Sequence, residues 1–187
     1  MSQTLHRIDG RDTIIHIDDS WIAFARENGL AEASKHDFIG RPLWNFIEGP
    51  ETKHLWRLML GRVRSKQTPI WLSYRCDAPD RRRYMRMGII PHPNMDVEMY
   101  NTVVKEEVRK SLRVLDPAFP RDERVIKICS WCKRVLVGSD GRMENMGEWM
   151  ELEDAVERLK LFESASLPSL NHGICNLCFS RVIAEIP

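Results

Sequence analysis

The chain has 187 residues, of which 43% are hydrophobic and 29% charged, and its formal net charge is +1 at pH 7. This composition is typical of a globular protein with room for one ordinary domain and a small additional module. The low net charge gives no general electrostatic reason to expect binding to nucleic acid or to an anionic membrane. No apolar run approaches the roughly 20 residues of a membrane span, and the N-terminus lacks the apolar core of a signal peptide. We therefore expect a cytoplasmic protein.

The N-terminal quarter of the chain predicts two short strands followed by irregular structure. Residues 1–12 are polar and are interpreted as an arm or as the lead-in to the first strand. The apolar runs 13–17 and 21–25 are separated by the turn residues Asp18-Asp19-Ser20, which predicts a hairpin. Residues 31–47 predict short helical or loop pieces that contribute four side chains to the core: Leu43, Trp44, Phe46 and Ile47.

One long helix and three strands are predicted next. Residues 51–66 carry apolar side chains at helical spacing, and Pro69 follows their end. Residues 70–76, 82–90 and 97–104 alternate or are β-rich and are joined by short turns, which predicts an antiparallel meander. The apolar stripe of the helix consists of Leu55, Trp56, Met59, Leu60 and Val63.

The order of these elements, together with one local motif, resembles a PAS domain over roughly residues 10–108. The motif is Ile39-Gly40-Arg41-Pro42-Leu43 followed by Asn45-Phe46-Ile47, with the long helix directly after it. The resemblance implies an α+β fold with an antiparallel five-stranded sheet and flanking helices. It also implies a sensor that binds a small ligand or a protein partner in a signalling pathway, and it leads us to expect a homodimer.

The second half of the chain predicts a linker and a small module. Residues 105–115 continue the last strand or form a short connecting helix, and two prolines mark residues 116–123 as a linker. The module begins with a strand at 125–128, and a hairpin follows between 135 and 149. An amphipathic helix is predicted from Leu152 to Phe162, a loop at 167–170, and a terminal helix from Asn176.

Two Cys-x-x-Cys pairs give this module its chemistry. Cys129 and Cys132 form the first pair, and Cys175 and Cys178 the second. Paired thiolates at this spacing are the usual ligands of a structural zinc ion, and four of them leave no open coordination position. The intervening residues 133–174 exceed the roughly 12–20 residues common in such sites, so they need secondary structure of their own.

Other interpretations of the cysteines stay open. Disulfides are disfavoured because nothing marks the chain as secreted. A redox-active pair is disfavoured because it would be a single Cys-x-x-Cys near a βαβ pattern, whereas this sequence has two pairs and no such pattern. Unligated core thiols are the remaining alternative. His172 precedes the second pair and is either a second-shell partner of a zinc-bound sulfur, which we prefer, or an alternative ligand.

The sequence contains no recognisable group of catalytic residues, and it argues against haem and flavin as cofactors. His54 lies on the long helix, about 170° from its apolar stripe, so we expect it to face solvent and not to ligate haem. Cys76 lacks the sequence context of a flavin photosensor and is expected to be a core thiol. The aromatic side chains fill the core or line a pocket for a small apolar ligand: Trp21, Phe24, Trp44, Phe46, Trp56, Trp71 and Tyr74. Arg81-Arg82-Arg83 predicts a solvated hairpin tip, with contact to an acidic partner or a phosphate as the alternative.

These observations divide the chain into a PAS-like sensor domain (1–110), a linker (111–124) and a zinc-binding module (125–187). We expect a non-enzymatic sensor protein with a structural zinc ion and no haem or flavin. The alternatives are a zinc-dependent nucleic-acid-binding regulator, suggested by Lys127, Lys133, Arg134 and Arg142, and a thiol or zinc redox switch. Acidic residues 144–157 in the same module make nucleic acid the weaker alternative.

Overall fold

A computed structural model of the chain describes residues 3–138, 147–163 and 165–186. Within these residues, nine strands form two sheets, and four α-helices flank them. The larger sheet has five antiparallel strands in the order β2-β1-β5-β4-β3, and the smaller has four strands in the order β8-β7-β6-β9. The predicted α+β class with a five-stranded antiparallel sheet and flanking helices is confirmed.

The large sheet is built from strands at both ends of the first half of the chain. Its strands are β1 (Gln3–Ile8), β2 (Ile14–Ile17), β3 (Ile70–Arg75), β4 (Arg81–Pro91) and β5 (Val97–Val108). The predicted meander is confirmed, because β3 pairs with β4 and β4 with β5. β1 lies in the interior of the sheet between β2 and β5. Residues 3–8 are therefore a strand in their own right, and their interpretation as an arm or a lead-in to the first strand was wrong.

The predicted second strand at 21–25 is also wrong, because these residues lie in helix α1 (Asp19–Glu27). The carboxylate of Asp18 accepts a hydrogen bond from the Trp21 backbone N–H at 2.7 Å, which caps the helix N-terminus. Ile22 and Ala25, three residues apart, are the buried side chains of the helix. A short, nearly continuous apolar run does not distinguish this helix from a buried strand.

Helix α2 (Pro50–Lys66) covers the inner face of the large sheet as predicted. Its buried side chains are Thr52, Leu55, Met59, Leu60 and Val63. They meet the apolar side chains that β3, β4 and β5 direct inward, such as Leu72, Met87 and Met99. Two short 3-10 turns at Lys35–Asp37 and Leu43–Asn45 precede α2. Leu43 is buried there, whereas Phe46 is 41% exposed, so its placement in the core was wrong.

The small sheet contains β6 (Arg121–Cys129), β7 (Val135–Val137), β8 (Glu148–Met150) and β9 (Leu167–Gly173). The hairpin of β7 and β8 is confirmed, while its predicted turn falls outside the described residues. β9 pairs in parallel with β6, so the prediction of a loop at 167–170 was wrong. Pro168 is compatible with β9 because β9 is an edge strand.

Helices α3 (Leu152–Arg158) and α4 (Asn176–Glu185) complete the second half, and a 3-10 turn covers Arg113–Leu115. One face of the small sheet has its own hydrophobic core, which includes Ile126, Val135, Leu152 and Leu167. Leu112 and Val114, from the segment predicted to be a linker, are buried in that core. The predicted domain limits stay a prediction. Among the described residues, no helix combines the length and apolar character needed to span a bilayer.

Candidate metal centre

The first cysteine pair lies in a tight turn at the end of β6. The backbone N–H of Cys129 donates to the Arg134 carbonyl oxygen at 2.7 Å, and the N–H of Lys133 donates to the Cys129 carbonyl oxygen at 3.0 Å. Lys133 adopts a left-handed backbone conformation with φ 63°. These bonds bend the chain so that the thiols of Cys129 and Cys132 lie on the same side of the turn.

The second pair lies where β9 leads into α4. Cys175 is the N-cap residue of the helix, and its sulfur accepts a hydrogen bond from the Cys178 backbone N–H at 3.4 Å. Cys178 therefore lies in the first turn of α4. Parallel pairing places Cys129 opposite Gly173, so both pairs emerge at the same end of the two strands.

The four thiols form one compact cluster. The sulfur atoms of Cys129, Cys132, Cys175 and Cys178 all lie within 4.8 Å of one another. The sulfur atoms of Cys132 and Cys175 are 3.8 Å apart. A disulfide requires about 2.05 Å, whereas two sulfurs bound to one zinc at about 2.3 Å in a tetrahedron lie about 3.8 Å apart. The cluster therefore fits a four-coordinate metal ion and not a pair of disulfides.

The four thiols of the cluster shift one another's pKa. Hydrogen bonds from the thiols of Cys132, Cys175 and Cys178 lower the pKa of Cys129. Hydrogen bonding and repulsion beside that thiolate raise the pKa of Cys132 and of Cys178. Four crowded thiols cannot all ionise without a nearby positive charge, which a bound divalent cation would supply.

His172 lies outside the four-thiol cluster. It is the penultimate residue of β9, and its Nε2 is 3.6 Å from a carboxylate oxygen of Glu48. Burial lowers the pKa of His172, a nearby Lys133 lowers it further, and Glu48 opposes both effects. The ring thus faces the segment before α2, and its expected second-shell contact with a sulfur stays a prediction.

The remaining predicted site residues lie apart from the cluster. His54 is exposed on α2, as expected from its position opposite the apolar stripe. Cys76 is half-buried just after β3 and is a free thiol. The haem and flavin expectations stay predictions.

The described basic side chains near the first cysteine pair form ion pairs or hydrogen bonds with other residues of this chain. Lys127 pairs with Glu51 at 2.6 Å, and Arg134 pairs with Glu151 at 2.9 Å. Lys133 donates from Nζ to the Ser130 carbonyl oxygen. Arg142 falls outside the described residues. Among the described residues, these contacts leave little free positive charge for nucleic acid beside the first cysteine pair.

Trp131, between the first two cysteines, joins the metal centre to the large sheet, and the sequence analysis missed this role. It is 6% exposed. Its ring lies 6.3 Å from that of Trp56 on α2 and 6.2 Å from that of Tyr74 on β3. Its carbonyl oxygen accepts a hydrogen bond from the Arg75 backbone N–H at 2.7 Å. A large apolar residue inside a Cys-x-x-Cys turn is the sequence signal that could have indicated a packed turn.

Close backbone approaches reinforce this contact at the start of α2. The Thr52 hydroxyl lies 3.0 Å from that of Ser130 and donates to the Gly173 carbonyl oxygen at 3.3 Å. Gly49 has φ 78°, and a side chain there would place Cβ 1.8 Å from the His172 carbonyl oxygen. Only glycine fits at this position, so α2 begins directly against β9.

A charged network connects the two sheets on another side. The Asp77 side chain is fully buried and pairs with Arg75 at 2.5 Å and with Arg109 at 3.0 Å. Arg75 also reaches Glu151 at 2.7 Å, and Arg109 reaches Glu153 at 2.7 Å. Arginines from the large sheet thus meet acidic residues at the start of α3.

The predicted solvated tip at Arg81-Arg82-Arg83 takes part in similar pairing, so that interpretation was wrong. Arg83 is only 6% exposed and pairs with Glu106 at 2.9 Å. Arg82 pairs with Glu153 at 2.9 Å. The hairpin therefore contacts the rest of the protein and is not free in solvent.

Some of the predicted aromatic residues line a cavity and others do not. Trp21, Phe24 and Tyr74 border a cavity of about 250 Å³ between α1 and the large sheet. The Tyr74 hydroxyl donates to the Asn101 side-chain oxygen at its edge, at 2.9 Å. Trp71 instead lies on the outer face of the sheet and is 49% exposed.

Comparison with solved structures finds PAS and sensor domains that are similar to part of this chain. No family model matches it, and no curated protein matches it in sequence. A domain of an HTR-like protein from Haloarcula marismortui is 11% identical, with a TM-score of 0.42, and the match covers 56% of this chain and 100% of that one. A sensory box sensor histidine kinase from Vibrio cholerae is 10% identical, with a TM-score of 0.42, covering 56% and 85%. The PAS domain of BvgS from Bordetella pertussis is 12% identical, with a TM-score of 0.39, covering 56% and 74%.

Proposed function

We propose that this protein is a non-enzymatic signalling sensor in which a PAS-like domain is coupled to a structural zinc centre with four cysteine ligands. Cys129, Cys132, Cys175 and Cys178 would hold the ion. The observation that carries the proposal is the cluster of four thiols within 4.8 Å, at the contact between the two sheets. A fully thiolate-ligated zinc has no open position for substrate, so its contribution is structural.

The position of the cluster supports a coupling role. Cys129, Cys175 and Cys178 pack in the same hydrophobic cluster as Leu55 and Met59 of α2. The cysteines are absent from the separate core that covers the other part of the small sheet. A metal at this place would therefore fix how the small sheet sits against the domain that is proposed to sense.

The resemblance to PAS domains supports the sensing role. The observed order is two strands, α1 and short turns, a long helix and three further strands, which is the order on which the resemblance rests. The cavity beside Trp21 and Tyr74 offers a place for a small apolar ligand. A signalling protein partner, a homodimer and a cytoplasmic location stay part of the proposal as expectations.

The test is the metal content and absorption spectrum of the purified protein. We expect one zinc per chain and no Soret or flavin band. A chain without bound metal would contradict the zinc centre, and a haem or flavin spectrum would contradict the proposed type of sensor. Zinc retention with unreactive thiols under peroxide would exclude the alternative of a redox switch. Affinity for nucleic acid that falls steeply with salt would support the nucleic-acid alternative instead.

A further inference from the structure

The solvent-facing side of α2 carries an excess of positive charge. The helix contains five basic residues and one acidic residue, a net charge of +4, while the whole chain has a net charge of +1. The acidic residue, Glu51, pairs with Lys127, and Arg64 pairs with Asp12. Four cations of the helix have no acidic partner among the described residues: Lys53, Arg57, Arg62 and Lys66.

These cations flank a central strip of the helix that carries no lysine, arginine or carboxylate. The strip consists of His54, Leu58, Gly61 and Ser65. At the 100° per residue of an α-helix, its members lie within about 60° of one another. Arg57 and Arg62 lie about 70° on either side of its centre, and Lys53 and Lys66 about 110° on either side. The strip is therefore bordered by positive charge along both edges.

The spacing of the central strip is that of a helix–helix contact. Its residues follow one another at intervals of four, three and four positions, which is the repeat of the seam between two packed helices. His54, Gly61 and Ser65 are exposed, and Leu58 is half-buried. In such packing the positions beside the seam carry charges that select the partner.

Gly61, in the middle of the strip, has no structural explanation within the chain. Glycine inside a helix is destabilising relative to alanine. Gly61 has no positive φ, and no atom outside the helix lies within 4 Å of the position that a Cβ would take. A glycine does, however, allow a partner backbone to approach closely, because the distance between packed helices depends on the side chains at their contact.

We propose that the exposed face of α2 docks an acidic amphipathic helix of a partner protein. The small and apolar side chains of that helix would pack on Leu58 and Gly61, and carboxylates on its two flanks would pair with Arg57 and Arg62. A second copy of α2 does not fit, because a two-fold contact would place cations against cations. The proposal rests on the signalling function proposed above and names the kind of protein partner.

A protein helix fits the strip better than nucleic acid does. The centre of the strip offers one apolar side chain and the bare backbone of Gly61. Recognition of bases would require polar side chains that reach base edges or aromatic side chains that stack on them.

The experiment is fluorescence-anisotropy titration of labelled probes with the purified full chain. The main probe is a helical peptide of about 20 residues, long enough to be helical alone, with leucine and alanine along one strip and glutamate on both flanks. The other probes are the same peptide with lysine in place of glutamate, a scrambled peptide of the same composition, and a DNA duplex. We expect the glutamate peptide to saturate one site and the two other peptides to bind at least about tenfold more weakly.

A charge reversal tests the flanks of the strip. Arg62→Glu should weaken binding of the glutamate peptide at least about fivefold, because it replaces an attraction by a repulsion. Arg181→Glu is the matched control, since Arg181 is an exposed arginine on another helix, α4. It changes the net charge equally and should weaken binding clearly less.

A substitution at Gly61 tests the close approach without changing charge. Because the space beside Gly61 is open, Gly61→Trp can be accommodated by the fold, and its ring would block the strip. It should abolish binding of the glutamate peptide and keep zinc content. Gly61→Ala should raise the midpoint of thermal unfolding, because alanine is the better helix former.

Several outcomes would overturn the proposal. They are equal binding of the glutamate and lysine peptides, no saturable binding of the glutamate peptide up to about 100 μM, a DNA duplex that binds more tightly than this peptide, and unchanged affinity in both Arg62→Glu and Gly61→Trp. A lower unfolding midpoint in Gly61→Ala would also count against it, because the chain itself would then require the glycine. Zinc content is measured on the same samples, so a zinc-loaded chain that ignores the glutamate peptide overturns this surface alone.

Discussion

The two sheets of this protein are stabilised in different ways. The five-stranded sheet packs against α1 and α2 through one hydrophobic cluster, which contains residues such as Leu55, Met59 and Ile89. The four-stranded sheet has a smaller core that packs on α3, and the cysteines are not part of it. The thiol cluster instead belongs to the larger cluster, through Cys129, Cys175 and Cys178.

This difference indicates the role that we propose for a metal at the four thiols. Apolar burial stabilises each sheet on its own, whereas the contact between them depends on the four thiols, on Trp131 and on ion pairs around Asp77. We therefore expect disruption of the metal centre to separate the two sheets before it unfolds either one. The predictions below are ordered from the largest expected effect to the smallest.

The largest effect should follow removal of a ligand. Cys129→Ser should abolish zinc binding and lower the free energy of unfolding by at least about 4 kcal/mol, because metal binding free energy contributes directly to folding. Cys76→Ser is the control, since that thiol lies outside the cluster. Zinc content and the midpoint of thermal unfolding are measured for both variants. Retention of one zinc per chain in Cys129→Ser would contradict the four-thiol centre.

The second-largest loss in the free energy of unfolding is expected for Trp131→Ala. Loss of a buried tryptophan costs about 3–4 kcal/mol through lost burial and a residual cavity, and here the loss falls at the contact of the two sheets. Trp71→Ala, at a half-exposed tryptophan of the outer face, should cost clearly less. Urea unfolding gives both values. Equal costs for the two variants would mean that Trp131 has no special part in the contact.

A smaller effect is expected at Asp77, whose side chain is fully buried between Arg75 and Arg109. Asp77→Asn keeps the shape and one acceptor but leaves two arginines without a buried carboxylate. We expect a loss of about 2 kcal/mol in the free energy of unfolding. Asp80→Asn, at an exposed neighbour, should change it by less than about 0.5 kcal/mol. Urea unfolding of both variants at low and high salt checks this. If Asp77→Asn leaves the free energy of unfolding unchanged, the network is not needed for stability.

The smallest effect should be a change in the pH dependence of stability. Burial raises the pKa of Glu153, but hydrogen bonds from Arg82 and Arg109 outweigh it and lower the pKa from its ordinary value near 4.5 to about 2. A lowered carboxyl pKa stabilises the fold above the unfolded-state value, and this stabilisation is lost as pH falls towards 2.

Glu153→Gln should therefore reduce stability near neutral pH and flatten its decline between about pH 4.5 and 2. Asp154→Asn, at the exposed neighbouring position, is the matched control. Any loss of zinc in acid should affect the unsubstituted protein and both variants alike, so it cancels in the comparison. The difference between the curves of the two variants is the measured quantity. Parallel curves would contradict the pairing of Glu153 with the two arginines.

Long periodic elements were predictable from sequence, and short ambiguous ones were not. The stripe of α2 and the strands of the meander match their patterns, because one face of each is buried. The run at 21–25 is too short for its period to separate helix from strand, and the capping bond of Asp18 decides it. β9 was missed because Pro168 suggests a loop, although parallel pairing with β6 makes it an edge strand.

The clustering of the four thiols was foreseeable, while its surroundings were not. The spacing of the two cysteine pairs identifies the four thiols, because Cys-x-x-Cys turns bring both sulfurs to one side. Nothing local in the sequence indicates that Trp131 reaches Tyr74, or that Gly49 approaches the carbonyl of His172. Such contacts depend on how two distant elements pack, and pattern analysis of a single segment does not contain that information.

X-ray absorption at the zinc edge of the purified protein tests the central claim most directly. The account predicts one zinc per chain with four sulfur ligands at about 2.3 Å and no nitrogen in the first coordination shell. A shell that includes an imidazole nitrogen, fewer than four sulfurs, or a protein without zinc would contradict it.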